Sequence, residues 1–278
     1  MPRSRKLRRP GYGERLGPAW RFVWLVLYWP VTGLVRMNWR HMDRIPQRGG
    51  VIIVVNHVSH IDPFLVAKFV LDSGRVPRFM AKEAIFKVPA VGWAMRSMGH
   101  IPVRRHTTDA ARALYAAVEK LGQGGCVVLH PEGTVTRDPD GWPMAARTGV
   151  ARLALLAPDI PVVPVAQWGV QKQIDLYRKR VRLIPRPRHM LCVGEPVDLS
   201  RFRDAKPTPQ TLREMTDVIM KRLRVDVAEL RGEPAPTGEL FVWSRRDGAA
   251  SPPPGASGGA GGPDAAGSPG SLHPQDAA

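Results

Sequence analysis

The sequence predicts an α/β fold: a layered domain with a largely parallel central sheet flanked by helices. Short apolar, β-branched runs of strand length recur between Val51 and Gly194, and stretches with helical spacing lie between them. Such alternation builds a parallel sheet, because each crossover returns the chain to the same edge. The 278 residues, 44% of them hydrophobic and 23% charged, suit a substantial buried core.

Strands are expected at 51–55, 78–81, 100–103, 126–129, 162–167 and 190–193. The run 160–165 carries Pro161 and Pro164, which have no N–H to give a ladder, so it is expected at an edge or in a distorted pairing. A helix is expected over 109–121, with Ala110, Leu114, Val118 and Leu121 on one face. Thr107 or Thr108 is its expected cap and Gly122 its stop. A second helix is expected over 147–156. Thr208-Pro209 opens a third, whose stripe is Leu212, Met215, Ile219, Leu223, Val227 and Leu230.

Charge divides the chain further. Lys and Arg number 41 against 24 Asp and Glu, a net +17 that favours a polyanionic partner. Residues 1–44 hold ten of the cations against Glu14 and Asp43, interleaved with Trp20, Phe22, Trp24, Tyr28, Trp29 and Trp39. The uncharged stretch between Arg21 and Arg36 is 14 residues, short of the ~20 that span a bilayer, and no small-x-small cleavage site follows it. Short, Trp-rich, Arg-flanked segments suit the headgroup boundary. Residues 1–44 are therefore expected to associate with an anionic membrane surface, the alternative being ordinary helices packed on the core. Residues 45–232 form the expected catalytic domain. Residues 233–278, rich in Gly, Pro, Ala and Ser, are expected to be disordered. Cys126 and Cys192 allow neither a disulfide framework nor a zinc-type cluster, which suits a reducing compartment.

The chemistry concentrates in Asn56-His57-Val58-Ser59-His60-Ile61-Asp62-Pro63, directly behind the apolar run 51–55. A histidine at a strand end with a carboxylate five residues on makes a compact general base and orienter. Plainer readings exist for each residue: Asp62 as a helix cap, His57 as a structural histidine, or His57, His60 and Asp62 as metal ligands. Two more islands sit at strand ends: Gly99 to Arg105 is a short strand ending in paired arginines, and His130-Pro131-Glu132-Gly133-Thr134 follows the strand candidate 126–129. In open α/β sheets, ligands collect beyond the carboxyl ends of strands, so these islands point at one cleft. There is no Gly-x-Ser-x-Gly nucleophile elbow. Basic and aromatic residues together also suit single-stranded nucleic acid, but no recognised nucleic-acid motif is present.

Asn56-His57-x-Ser59-x-x-Asp62 resembles the His-x4-Asp signature of the glycerolipid acyltransferases, especially 1-acylglycerol-3-phosphate acyltransferases. Gly99 to Arg105 is similar to that family's Gly-x-Ile-x-x-x-Arg block, Pro131 to Thr134 to its Pro-Glu-Gly-Thr block, and Val162 to Val165 to its apolar proline block. The run from Glu132 to Met144 resembles the actinobacterial members in particular. Departures are His130 where the family commonly has Phe, Val135-Thr136 where it has Arg-Ser, and Arg147 where a Lys is frequent.

The resemblance implies an enzyme on the cytoplasmic face of the cell membrane, peripheral or monotopic. It would pass an acyl group from acyl-CoA or acyl-carrier protein to lysophosphatidate, with no resident cofactor and no metal. Glycerol 3-phosphate or another lysophospholipid is the alternative acceptor, and a non-enzymatic basic lipid- or nucleic-acid-binding protein the alternative class. The resemblance assigns catalysis to His57 and Asp62. It assigns substrate binding to Ser59, Gly99, Arg105, Glu132, Gly133 and Thr134, with Arg137 supplying the charge missing after Thr134.

Overall fold

A computed structural model describes residues 17–23, 26, 33–104, 109–175 and 179–243. A short helix α1 (Pro18–Val23) precedes strand β1 (Arg36–Arg40), β2 (Val51–Val55), helix α2 (Asp62–Asp72), β3 (Pro77–Lys82), two short helices α3 (Glu83–Phe86) and α4 (Val91–Ser97), and β4 (Ile101–Val103). There follow α5 (Asp109–Gly122), β5 (Cys126–Leu129), α6 (Gly149–Leu156), β6 (Val162–Trp168), a small β7 (Ile174–Asp175) and β8 (Arg180–Val181) pair, β9 (Arg188–Val193), and α7 (Pro209–Arg231).

Seven strands form one sheet in the order β1-β9-β6-β2-β5-β3-β4. The pairs β2/β5, β2/β6, β3/β5 and β3/β4 are parallel. The strand β9 runs antiparallel to β6, with β1 parallel to β9. The carboxyl ends of β2, β3, β4, β5 and β6 therefore share one edge.

Side chains alternate across this sheet with period two. Ile52, Val54, Val127, Leu129 and Val162 face a core built with Ala117, Leu121, Leu153, Met215, Ile219 and Leu223 of α5, α6 and α7. Val51, Ile53, Val55, Val128, Val163 and Val165 face the other way, onto Val66, Phe69 and Val70 of α2. Burial on both faces explains why these strands read as unbroken apolar runs.

Several sequence expectations are corrected. The strand β6 lies in the sheet interior, although it contains Pro164. Its ladder with β9 begins one residue later, at Val165, and the Pro164 carbonyl still accepts from Gly194 N–H at 2.9 Å. The ring thus falls where β9 has ended and no donor is needed. The helix α5 runs through Gly122, and Gly124 makes the left-handed turn at φ 80°. The second helix starts at Gly149, two residues later than expected. Thr208 does cap α7, accepting from Thr211 N–H at 3.1 Å.

The boundaries at 44/45 and 232/233 also shift. Arg36–Arg40 is an edge strand of the seven-stranded sheet. Trp20 is buried, donating from its indole to the Met98 carbonyl at 3.1 Å, and Trp39 donates to Asp72 at 3.2 Å. At the other end, Leu240 is buried, Phe241 O accepts from Ala145 N–H, and Arg224 donates to the Gly238 carbonyl. Thr107, Thr108, Trp24, Tyr28, Trp29 and residues 244–278 lie outside the described residues. Among the described residues, no helix is long and apolar enough to cross a membrane.

Candidate active site

Strand β2 delivers its last residue, Val55, to the shared carboxyl edge, and the chain turns through 56–61 into α2. Asp62 is the first residue of that helix, with Pro63 behind it. Its carboxylate does not cap the helix in the usual sense, because it reaches backward. Oδ2 accepts the N–H of Val58 at 2.6 Å and of Ser59 at 2.8 Å, which closes the turn. The closed turn brings His57 Nδ1 to 3.0 Å from the same Oδ2. Five residues of separation thus become direct contact because the intervening backbone folds around the carboxylate.

Burial pushes the Asp62 carboxyl up to about 6, although the two backbone donors favour its charged form. Asp62 is fully buried, and its Oδ1 has no hydrogen-bond partner among the described residues. The carboxylate is thus ionised at neutral pH. Its partner ring then carries the Nδ1 proton and directs Nε2 away from Asp62.

The loop after β5 fixes His57 from the other side. Glu132 Oε1 accepts His57 N–H at 2.8 Å, and Thr136 N–H donates to the His57 carbonyl at 2.7 Å. The second Glu132 oxygen accepts Met144 N–H at 3.2 Å. Burial pushes the Glu132 carboxyl up to about 8, against the two backbone donors that lower it. The expected contact of Glu132 with substrate is therefore corrected: both of its oxygens are spent on backbone that positions His57.

His130 lies flat on His57, with ring centroids 4.4 Å apart and planes at 17°. Its Nδ1 lies 3.1 Å from the Val55 carbonyl, which only accepts, so the proton is on Nδ1. Burial holds this imidazole neutral, pulling its pKa down to about 3. Phe79 continues the stack behind it at 6.5 Å. The departure noted at position 130 therefore keeps a flat aromatic surface beneath the His57 ring.

A second network, missed by sequence reading, anchors the residue before His57. Asn56 Nδ2 donates to the Gln167 carbonyl at 3.0 Å, and Gln167 N–H donates to Asn56 Oδ1 at 2.8 Å. The Gln167 side chain donates to the Asn56 carbonyl at 2.5 Å and accepts from His189 Nε2 at 3.1 Å. Burial keeps His189 neutral, with its pKa lowered to about 4. An amide ending an apolar strand and a histidine at a buried period-two position of β9 were the available signals.

The remaining expected residues separate. Ser59 is buried and donates its hydroxyl to the Ile174 carbonyl at 3.1 Å, so its expected substrate contact is corrected to a structural one. Gly99 is likewise corrected. With φ 73° it stops α4 at the amino end of β4, where a Cβ would press on Arg78, whereas His57 follows a carboxyl end. Gly133, at φ 74°, turns the chain between the clamp residue Glu132 and half-buried Thr134, with its N–H on the His130 carbonyl at 3.0 Å. Arg137 is exposed and lies over Trp243 at 5.4 Å. Arg104 pairs bidentately with Glu83 at 2.7 and 2.9 Å. Arg105 lies outside the described residues. His100 is buried between Trp20 and Phe79 and accepts Phe79 N–H at 3.0 Å, a structural use.

The acyltransferase family model matches residues 36–168. A chloroplastic 1-acyl-sn-glycerol-3-phosphate acyltransferase of Arabidopsis thaliana is 30% identical over 146 residues, 49% of this chain and 37% of that protein. The corresponding enzyme of Borreliella burgdorferi is 30% identical over 119 residues, 40% of this chain and 46% of its own. The chain thus spans less than half the length of these curated relatives. The crystal structure of the 1-acyl-sn-glycerophosphate acyltransferase of Thermotoga maritima matches with a TM-score of 0.55 and 27% identity, covering 78% of this chain and 81% of that one. The stretch that is similar to the acyltransferase family model contains β1 to β6 and the His57–Asp62 turn.

Proposed function

We propose that the chain moves a fatty acyl group from acyl-CoA or acyl-carrier protein to the free hydroxyl of 1-acylglycerol 3-phosphate, giving phosphatidic acid. The observation that carries this reading is the 3.0 Å contact of His57 Nδ1 with Asp62, on a histidine whose backbone is held at both ends by the 130–136 loop.

In this reading His57 Nε2 takes the proton of the acceptor hydroxyl as its oxygen attacks the thioester carbonyl. The tetrahedral intermediate collapses, the C–S bond breaks, and the imidazolium returns the proton to the departing thiolate. Asp62 holds the tautomer and offsets the imidazolium charge; base catalysis of this type supplies typically ~10²–10⁴ in rate. No covalent protein intermediate is required. Arg105 would grip the phosphate, with Arg137 and the Gly133-Thr134 turn beside it; the resemblance supports this assignment, and Arg suits bidentate phosphate binding. The reading has no resident cofactor. In this reading the reaction takes place on the cytoplasmic face of the membrane, which the net +17 supports through attraction to anionic lipid.

The test is free thiol release by purified full chain given acyl-CoA and lysophosphatidate, wild type beside His57→Ala. Loss of release in His57→Ala is expected; equal rates would remove the proposed base. Glycerol 3-phosphate offered in place of lysophosphatidate distinguishes the acceptor.

A further inference from the structure

The segment that joins β3 to β4 leaves the sheet at the same carboxyl edge as His57. It folds as α3, a tight turn, and α4. The turn is strained: Ala90 adopts φ 57° and ψ −53°, the rare classic γ-turn conformation, closed by the Val91 N–H on the Pro89 carbonyl, and such sparsely populated backbone costs on the order of 1–3 kcal/mol. A Cβ at Gly92 would strike the Phe86 carbonyl, so the two helices touch backbone to backbone. Phe86 and Met98 are buried, and α1 packs against α4 through Trp20.

The outward side is apolar. Ile85 is 41% exposed, Val88 50%, Val91 46% and Trp93 61%, all within nine residues. Pro89 and Ala90 are exposed between them. Soluble proteins scatter such side chains singly; a cluster on one strained protrusion marks a contact surface. The charges around it share one sign. Lys82, Lys87 and Arg96 are exposed, while the segment's only carboxylate, Glu83, is neutralised by Arg104.

We propose that this α3–α4 protrusion docks the enzyme on an anionic lipid surface, with Val88, Val91 and Trp93 entering the headgroup boundary. Apolar anchors, an interfacial tryptophan and a cationic rim are what such a layer accepts. A second copy of the chain fits poorly, since a two-fold contact through this face would bring two copies of the same cationic rim together. The inference rests on the proposed reading for the acceptor's location: docking here sets the edge that carries His57 toward the layer holding a lipid acceptor.

The test compares wild-type full chain with Val88→Ser/Val91→Ser/Trp93→Ser by co-sedimentation with vesicles of phosphatidylglycerol and phosphatidylcholine in equal parts. Both proteins are also assayed on a short-chain lysophosphatidate that is monomeric in water. The expected result is vesicle partitioning reduced about tenfold or more by loss of the buried anchors, with turnover of the monomeric acceptor retained. Unchanged partitioning overturns the proposal, as does a changed oligomeric state in sedimentation velocity with partitioning intact. Trp93→Phe, which keeps the packing, guards against misfolding. Brominated phosphatidylglycerol should quench wild type measurably more than Trp93→Phe, and equal quenching also overturns docking. Absence of acyl transfer in both proteins would refute the reaction while leaving the vesicle result standing.

Discussion

Asp62 Oδ2 lies 3.0 Å from His57 Nδ1 while accepting the N–H groups of Val58 and Ser59. One oxygen therefore shapes the turn and orients the His57 ring, so the two roles cannot be removed separately by deleting the side chain. Asp62→Asn separates them, since its amide oxygen can keep the backbone bonds while losing the charge. The expected outcome is a fall in kcat of about 10²–10⁴ with KM little changed. Wild-type kcat in the variant would show that the carboxylate charge is idle.

Turnover should depend on the ionised Asp62. With its carboxyl pushed up to about 6 by burial, the rate is expected to fall as pH drops through about 6. A kcat–pH profile that stays flat through that range would contradict the assignment.

Glu132 predicts a distinct pH effect, on stability. Its carboxyl rises from an ordinary 4.5 to about 8 in the fold, so the folded state holds the proton more tightly than the unfolded chain. That contribution is fully present below about 4.5 and is lost as pH rises through about 8. Glu132→Gln should abolish this slope in a series of unfolding midpoints. It should also destabilise by ~1–3 kcal/mol, because the new amide N–H₂ faces a backbone donor, and lower kcat by loosening His57.

The buried amide network sets a fourth expectation. Gln167→Leu strips a donor from the Asn56 carbonyl and an acceptor from His189 Nε2. Each orphaned group costs ~1–3 kcal/mol, which thermal unfolding reads directly. A midpoint within error of wild type would mean that neither bond bears on the fold.

The His130 stack can be tested by shape alone. His130→Phe keeps the ring surface under His57 and should retain most turnover. His130→Ala removes a contact of about 0.5–1.5 kcal/mol and should lower it. An alanine variant as active as the phenylalanine one would show that the ring does not position the base.

The sheet was legible because its strands are short and apolar on both faces, and local composition reports that directly. Asp62 beside His57 was legible because five residues of chain can bring two groups together without help from elsewhere. The role of Glu132 was not. A carboxylate in a Pro-Glu-Gly-Thr turn gives no sign of whether its oxygens meet solvent, ligand or backbone; that depends on Met144 and His57 arriving from other elements. Trp20 and Trp39 misled for the same reason, since an aromatic beside arginine reads alike whether it packs on Met98 and Phe69 or faces a headgroup.

By itself, then, the sequence determined an α/β core, the order of its chemical islands and the His57–Asp62 pair, all set by interactions a few residues apart. Tertiary structure alone decided that Glu132 and Ser59 are spent internally, that Pro164 sits mid-sheet, and that Val88, Val91 and Trp93 face outward. Those outcomes turn on which backbone donors and acceptors remain unpaired once distant strands meet, a quantity that no local window of residues contains.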